Sequence, residues 1–233
     1  MTNVLMCSMW CNDAHRNLYS RAAHLANKLE HYDDMRLLWV VGDNNDKTFD
    51  MLGDFVLSGS LQSHIKIVRK DTNLKVTDRE SRMLRLSRTA QRWVDEIRDE
   101  RYFMVHESDL RTSGKIVNQF VAHAEAGREQ IAGWPTIKLT SAEATFYDIW
   151  AYWKDGEQFK NRPPYHSKLN GDDLFQVDSF GSCWMARADA LKGFKFGKLA
   201  VKDACAHLKA QGLELWVDRT IEVVQPKELW TIS

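Results

Sequence analysis

Tyr102-Phe103-Met104-Val105-His106-Glu107-Ser108-Asp109 is the stretch that decides how this chain is read. Four apolar residues in a row, with no Gly or Pro, are expected to form a buried strand. Two carboxylates follow at once, two residues apart, so both project from the carboxyl end of that strand into one crevice. Oxygen ligands of this kind suit a hard divalent cation held beside substrate phosphates. The competing reading of Glu107-Ser108-Asp109 is a solvated helix cap, because acidic triplets are common.

A second acidic strand end lies upstream. Leu37-Leu38-Trp39-Val40-Val41 is continuously apolar and is closed by Gly42-Asp43. The next residues, Asn44-Asn45-Asp46-Lys47-Thr48, form a polar turn. A carboxylate at Asp43 can accept hydrogen bonds from a base or a ribose, while Asp46 or Thr48 can cap the helix expected over 48–57. Segments 4–9, 64–68 and 101–105 read as further strands. Leu18, Ala22, Leu25 and Leu29 share a helical face, with Asn12-Asp13 as the expected cap. Leu84, Ala90, Trp93, Val94 and Ile97 do the same for a helix over 81–98. Strands alternating with helices imply an α/β fold with a mostly parallel sheet, whose ligands sit outside the carboxyl ends of the strands.

The second half is less regular. A strand is expected over 182–186, a helix over 201–211 stopped by Gly212, and a strand over 215–224. Segment 146–153 is rich in aromatics. The polar stretch 158–173, with Pro163-Pro164, is the expected mobile loop.

Composition narrows the classes. The chain has 233 residues, 32 basic and 32 acidic, and a formal net charge of +0. A generally basic nucleic-acid coat is thereby excluded, though a local basic groove is not. Residues 1–233 are read as one domain. Cys7, Cys11, Cys183 and Cys205 show no paired zinc spacing and read as reduced thiols of a cytoplasmic protein. The start lacks a basic segment and a long apolar core, so it does not read as a signal peptide. Uninterrupted apolar stretches are all too short to span a membrane.

The order Asp43-Asn44-Asn45-Asp46-Lys47-Thr48, then Arg88-Thr89-Ala90-Gln91 on a helix, then Glu107-Ser108-Asp109 resembles the nucleotide-sugar glycosyltransferases of the GT-A fold, above all the family-2-like group. The resemblance runs from Asn3 to about Leu110 and resumes at Val177. It implies a GT-A, Rossmann-like α/β fold with 1–110 as nucleotide-binding half and 111–233 as acceptor-binding half. It further implies a metal-dependent enzyme that moves a sugar from a nucleotide diphosphate donor, such as a UDP-sugar, to an acceptor hydroxyl. Asp43 then binds base or ribose, and Arg85 and Arg88 lie near the diphosphate or base. Glu107, Ser108 and Asp109 stand at the Asp-X-Asp position. Asp109 is the expected ligand of Mn2+ or Mg2+, and Glu107, a substitution for Asp, contacts the metal, its water or the ribose.

Asp178-Ser179-Phe180-Gly181-Ser182 is similar to the acceptor-side strand of these enzymes and to the Asp-Gly-X-Gly-Gly strand of the Mnn9/Anp1-type mannosyltransferases. That assigns Asp178 a catalytic place and Gly181 an acceptor place, where a small residue lets the sugar approach. Asp148 matches a Tyr-Asp segment of the mannosyltransferases, on the acceptor side. Trp150, Tyr152 and Trp153 either stack on sugar or pack the core. Lys202-Asp203 resembles a Glu-Asp segment whose Asp is the general base; the alternative for Asp203 is a first-turn helix charge. A histidine expected near the chain end is replaced by Gln225. The acceptor stays open among a glycan, a protein, a small molecule and a modified DNA base. Arg69, Lys70, Arg79, Arg82, Arg85, Arg88 and Arg92 read as a solvated helix face rather than a polyanion groove. Two alternatives compete: a nucleotidyltransferase, disfavoured because Met9-Trp10-Cys11-Asn12-Asp13 has no glycine, and a non-catalytic sugar-binding module.

Overall fold

A computed structural model describes residues 3–11, 13–14, 17–43, 45–75, 77–138, 144–169 and 171–226. In its first half, β1 (Val4–Trp10) leads to α1 (Leu18–Ala26), α2 (Lys28–His31), β2 (Met35–Gly42), α3 (Thr48–Ser58), β3 (Ile65–Lys70), α4 (Arg79–Asp95) and β4 (Tyr102–His106). Then come β5 (Arg111–Thr112), α5 (Ile116–Glu125), β6 (Ile131–Lys138), β7 (Ala144–Phe146), β8 (Trp153–Lys154) and β9 (Glu157–Gln158). The chain continues through β10 (Leu174–Val177), β11 (Cys183–Arg187), α6 (Ala188–Leu191), α7 (Val201–Ala210) and β12 (Leu215–Gln225).

Among the described residues the main sheet runs β10-β12-β6-β11-β4-β1-β2-β3, with β5 on β12 and β7 on β6. β3, β2, β1 and β4 are mutually parallel, and so are β6 and β12. β11 is antiparallel to both of its neighbours, β4 and β6. The mostly parallel α/β sheet expected from the apolar runs is therefore present. Its central strands β1, β2 and β4 read as apolar runs because both faces are covered. Leu5, Cys7, Leu38 and Val40 face one core with α4, α6 and α7, while Val4, Met6, Leu37 and Trp39 face the other with α1, α3 and α5.

Several local expectations change. Asn12 lies outside the described residues; α1 begins after Asn17, which is in the left-handed region. The 18–29 helical face is split at Asn27 into α1 and α2. α4 starts earlier than residue 81, because Asp78 accepts from the Ser81 N–H in a capping box. The 158–173 stretch is anchored rather than loose. Phe159 and His166 are buried, Tyr165 packs on the aromatic core, and His166 Nε2 lies 2.9 Å from the Lys154 carbonyl. Its polar majority hides three residues that fix it to the core. Among the described residues, no helix is long and apolar enough to cross a membrane.

Candidate functional site

The parallel arrangement puts the ends of β1, β2 and β4 on one edge of the sheet, and with them Asp13, Asp43 and Glu107-Asp109. Because β11 runs the other way, its beginning arrives at the same edge: Cys183 pairs with His106, and the Glu107 N–H donates to the Ser182 carbonyl at 3.3 Å. The site is thus built from strand ends that are far apart in sequence.

The acidic turn is held from behind. Arg21, on α1 and 1% exposed, donates through Nε to the Ser108 carbonyl at 2.9 Å and through a terminal nitrogen to Ser108 Oγ at 2.6 Å. Its other terminal nitrogen pairs with Asp13 Oδ1 at 2.7 Å. Ser108 is buried, with its carbonyl and hydroxyl both held by this arginine. Neither Arg21 nor Asp13 carries a sequence signal for this role.

Asp109 is met by Gln225. The two-residue β5–β12 ladder, Val224 opposite Arg111, lays the end of β12 beside the turn, and Gln225 Nε2 donates to Asp109 Oδ2 at 2.7 Å. Gln225 is buried, and among the described residues its Oε1 has no hydrogen-bond partner. Glu107 is half-buried. Burial, then the charges of Asp109 and Asp148, push its carboxyl well above the usual range, and Arg82 opposes this. The same three acidic groups, after burial, push the Tyr147 hydroxyl up. Arg82, exposed on α4, is therefore a cation that Glu107 and Tyr147 feel, a residue not singled out as a site residue by sequence.

Asp148 accepts from Ser182 Oγ at 2.5 Å and from the Ala151 N–H. Burial raises its pKa, while Ser182, Ala151 and Lys202 lower it. Gly181 is required by this carboxylate: a Cβ there would sit 2.5 Å from Asp148 Oδ2 and 2.5 Å from the Ala151 methyl. The small residue expected at 181 thus lies against Asp148. The three aromatics divide. Tyr152 is core, its hydroxyl donating to the Gly133 carbonyl at 2.7 Å. Trp153 is covered by the Lys202 ammonium at 4.3 Å from its ring, and Trp150 is 57% exposed.

Asp43 forms a second centre. It accepts from the Thr72 N–H at 2.6 Å, from Thr72 Oγ1 and from the Asn73 N–H at 3.2 Å, with Arg85 Nε 3.8 Å away. Gly42 before it lets α4 close in, since a Cβ would lie 2.9 Å from Thr89 Oγ1. Arg88 lines a cavity with Lys70, Thr72, Gln91, Lys195 and Phe196. The two residues expected to be catalytic are engaged in structure. Asp203 Oδ2 accepts from the Leu199 N–H at 2.7 Å at the start of α7. Asp178 pairs with Lys209 and accepts from the Gly156 N–H at 3.1 Å.

Among the described residues, no group of three or more His, Cys, Asp or Glu side chains is placed to hold a metal ion. The donor set nevertheless fits a hard cation. Asp109 and the Gln225 side-chain oxygen are oxygen donors, beside the carboxylates of Glu107 and Asp148.

No family model matches the chain. No curated protein matches it. Solved structures do share its fold. GalNAc-T7, crystallised with UDP, GalNAc and Mn2+, matches with a TM-score of 0.66 at 8% identity over 97% of this chain and 44% of that one. S. aureus TarS residues 1-349, in complex with UDP-GlcNAc, matches with a TM-score of 0.57 at 13% identity over 97% of this chain and 58% of that one. A further S. aureus TarS structure gives 0.55 at 10% identity, over 96% of this chain and 36% of that one. The chain thus spans about half the length of the structures it matches, or less. It has the GT-A fold of these glycosyltransferases.

Proposed function

We propose that the chain is a glycosyltransferase that uses a nucleotide diphosphate sugar and a divalent cation. The observation that carries this reading is the convergence of Asp109, Glu107, Gln225 and Asp148 beside the Asp43–Thr72–Arg85 centre, along the strand-end edge where α/β sheets take ligands. The structures of GalNAc-T7 with UDP, GalNAc and Mn2+ and of TarS with UDP-GlcNAc, which share the fold, support the donor class.

In this reading Asp43 and Thr72 bind the base or ribose, and Arg85 approaches the diphosphate. Arg82, facing the acidic cluster, takes the place first given to Arg88. Asp109 and Gln225 hold Mn2+ or Mg2+, with Glu107 at the ribose or the outer side of the cation. When bound, the cation offsets charge on the leaving diphosphate. The bond from the anomeric carbon to the diphosphate oxygen breaks, and a bond from that carbon to an acceptor oxygen forms. Asp148, its pKa raised by burial, receives the acceptor proton, in place of the expected Asp203. Exposed Trp150 offers a stacking face to the acceptor sugar or base. Asp178 and Asp203 fix α7 and its loop. The acceptor is a hydroxyl on a glycan, a small molecule or a modified DNA base.

The test is a thermal-shift screen of nucleotide sugars with Mn2+, followed by donor turnover. One donor should raise Tm, since a ligand bound to the folded state stabilises it. Asp109→Ala should abolish both the shift and the turnover. If Asp109→Ala consumes donor as fast as the parent, or no nucleotide sugar shifts Tm, the reading is wrong.

A further inference from the structure

We propose that Ser182 is a positioning residue: from a strained left-handed backbone it ties the Asp148 carboxylate to the acidic turn, holding the acceptor side of the site against the donor side. This rests on the glycosyltransferase reading above, in which Asp148 receives the acceptor proton, and adds the residue that presents it.

Ser182 has a φ of 59°, a region that residues with a side chain rarely adopt. Across it the Cys183 N–H donates to the Gly181 carbonyl at 2.7 Å. Ser182 is therefore the centre of a γ-turn with positive φ, the rare and strained form. Such strain persists only where the surroundings over-determine it, and it gathers at functional sites. Here β11 is clamped directly after the turn: Cys183 pairs with His106 of β4, and Trp184 with Val105 of β4 and Ala132 of β6. A glycine would adopt this turn without strain. What serine adds over glycine is its hydroxyl.

That hydroxyl and the backbone of the same residue reach both halves of the site. Ser182 is 3% exposed; its carbonyl accepts the Glu107 N–H at 3.3 Å, and its Oγ donates to Asp148 Oδ2 at 2.5 Å. One residue thus fixes the loop that carries Asp148 to the turn that carries Asp109. A hydroxyl donated to a carboxylate also favours its ionised form. At Asp148 burial works the other way, while Ser182, the Ala151 N–H and Lys202 of α7 favour the charge. The other titratable groups around it are Glu107 of the acidic turn and Tyr147 and Tyr152 of its own loop. Without the hydroxyl, burial and the Glu107 carboxyl drive Asp148 towards its protonated form, which cannot take a proton from the acceptor.

The test compares Ser182→Gly, Ser182→Ala and Asp148→Asn with the parent. Aspartate carboxyl carbons are isotope-labelled and titrated by NMR, and the signal missing in Asp148→Asn identifies Asp148. Both Ser182 variants should raise its midpoint by about one unit or more, a change that mere packing would not produce. Ser182→Gly should melt higher than Ser182→Ala, because both lose the hydroxyl and only alanine keeps the strain. If the midpoint stays at the parental value, or alanine melts as high as glycine, the inference falls while the glycosyltransferase reading stands. Turnover of the nucleotide sugar that raises Tm, chosen from a panel of UDP- and GDP-sugars with Mn2+, separates the two. Loss of turnover in Asp148→Asn, with a loss in Ser182→Gly that recovers as pH rises, supports both. If Asp148→Asn turns over as fast as the parent, Asp148 is no proton acceptor and the part of Ser182 in the reaction falls with it.

Discussion

Replacing Arg21 should unlock the acidic turn, and the structure sets the size of the effect. The guanidinium is 1% exposed and makes three short contacts: Asp13 Oδ1 at 2.7 Å, the Ser108 carbonyl at 2.9 Å and Ser108 Oγ at 2.6 Å. It also lies over the Trp10 ring, 4.9 Å from its centroid. Arg21→Met keeps much of the apolar stem but strands the Asp13 carboxylate, which then retains the Cys11 N–H at 2.9 Å. Breaking one side of a buried pair costs about 3–5 kcal/mol, a large part of the roughly 5–15 kcal/mol that holds a domain folded. Removing the stranded charge as well, in Arg21→Met with Asp13→Asn, should restore more than half of that. Urea unfolding of the parent, both single variants and the double variant completes a double-mutant cycle, with an expected coupling of about 2–3 kcal/mol. Mn2+ affinity should fall in Arg21→Met, because Ser108 no longer pins the turn that carries Asp109. A coupling below about 0.5 kcal/mol, within the range of independent sites, would show that the pair does not hold this turn.

Two further outcomes follow from the site's surroundings. Gly181→Ala places a methyl 2.5 Å from both Asp148 Oδ2 and the Ala151 Cβ, so it should lower stability by about 1–3 kcal/mol and cut turnover by displacing Asp148; a variant with parental Tm and turnover would count against the packing described. His24 should make the fold acid-sensitive. Burial, then Lys28 and Arg111, lower its pKa to about 4, and its Nε2 accepts the Thr112 N–H at 3.2 Å with Lys28 Nζ 3.0 Å away, so the folded state needs the neutral ring. The folded pKa lies below the ordinary 6.5, so this stability is complete above about pH 6.5 and is lost as pH falls through about 4. Discounted for partial solvent access, the loss is about 1–2 kcal/mol. Comparing urea midpoints of the parent and His24→Gln at pH 7 and pH 4 isolates it, and equal losses in the two proteins would refute it.

The strands β1, β2 and β4 were legible because each is an apolar run buried on both faces; β3, with Lys66, Arg69 and Lys70 at the sheet edge, is only partly buried. α4 was legible from its apolar spacing. β6 was not: Gly133 and Pro135 interrupt the apolar pattern of Ile131–Lys138. In the fold Gly133 is demanded by β12, whose Ile221 carbonyl would lie 2.9 Å from a Cβ there. Pro135 keeps its carbonyl, which accepts the Tyr147 N–H at 3.0 Å. α5 has its signal in full, with Ile116, Val117, Phe120, Val121 and Ala124 buried on one face, and was readable in principle.

By itself the sequence determined the α/β class and the acidic strand ends at Asp43, Glu107 and Asp109, because apolar runs and the residues that close them are local properties. Only the tertiary structure decided what meets those ends. Arg21 reaches Ser108 across 87 residues, and Gln225 reaches Asp109 across 116. Asp148 is brought to Ser182 and Gly181 by the reversal of β11. These contacts depend on strand order and register, which side-chain periodicity does not encode. The same physics moved Asp178 and Asp203 into structural pairings: a carboxylate's chemistry is in the sequence, but its partner is set by the fold.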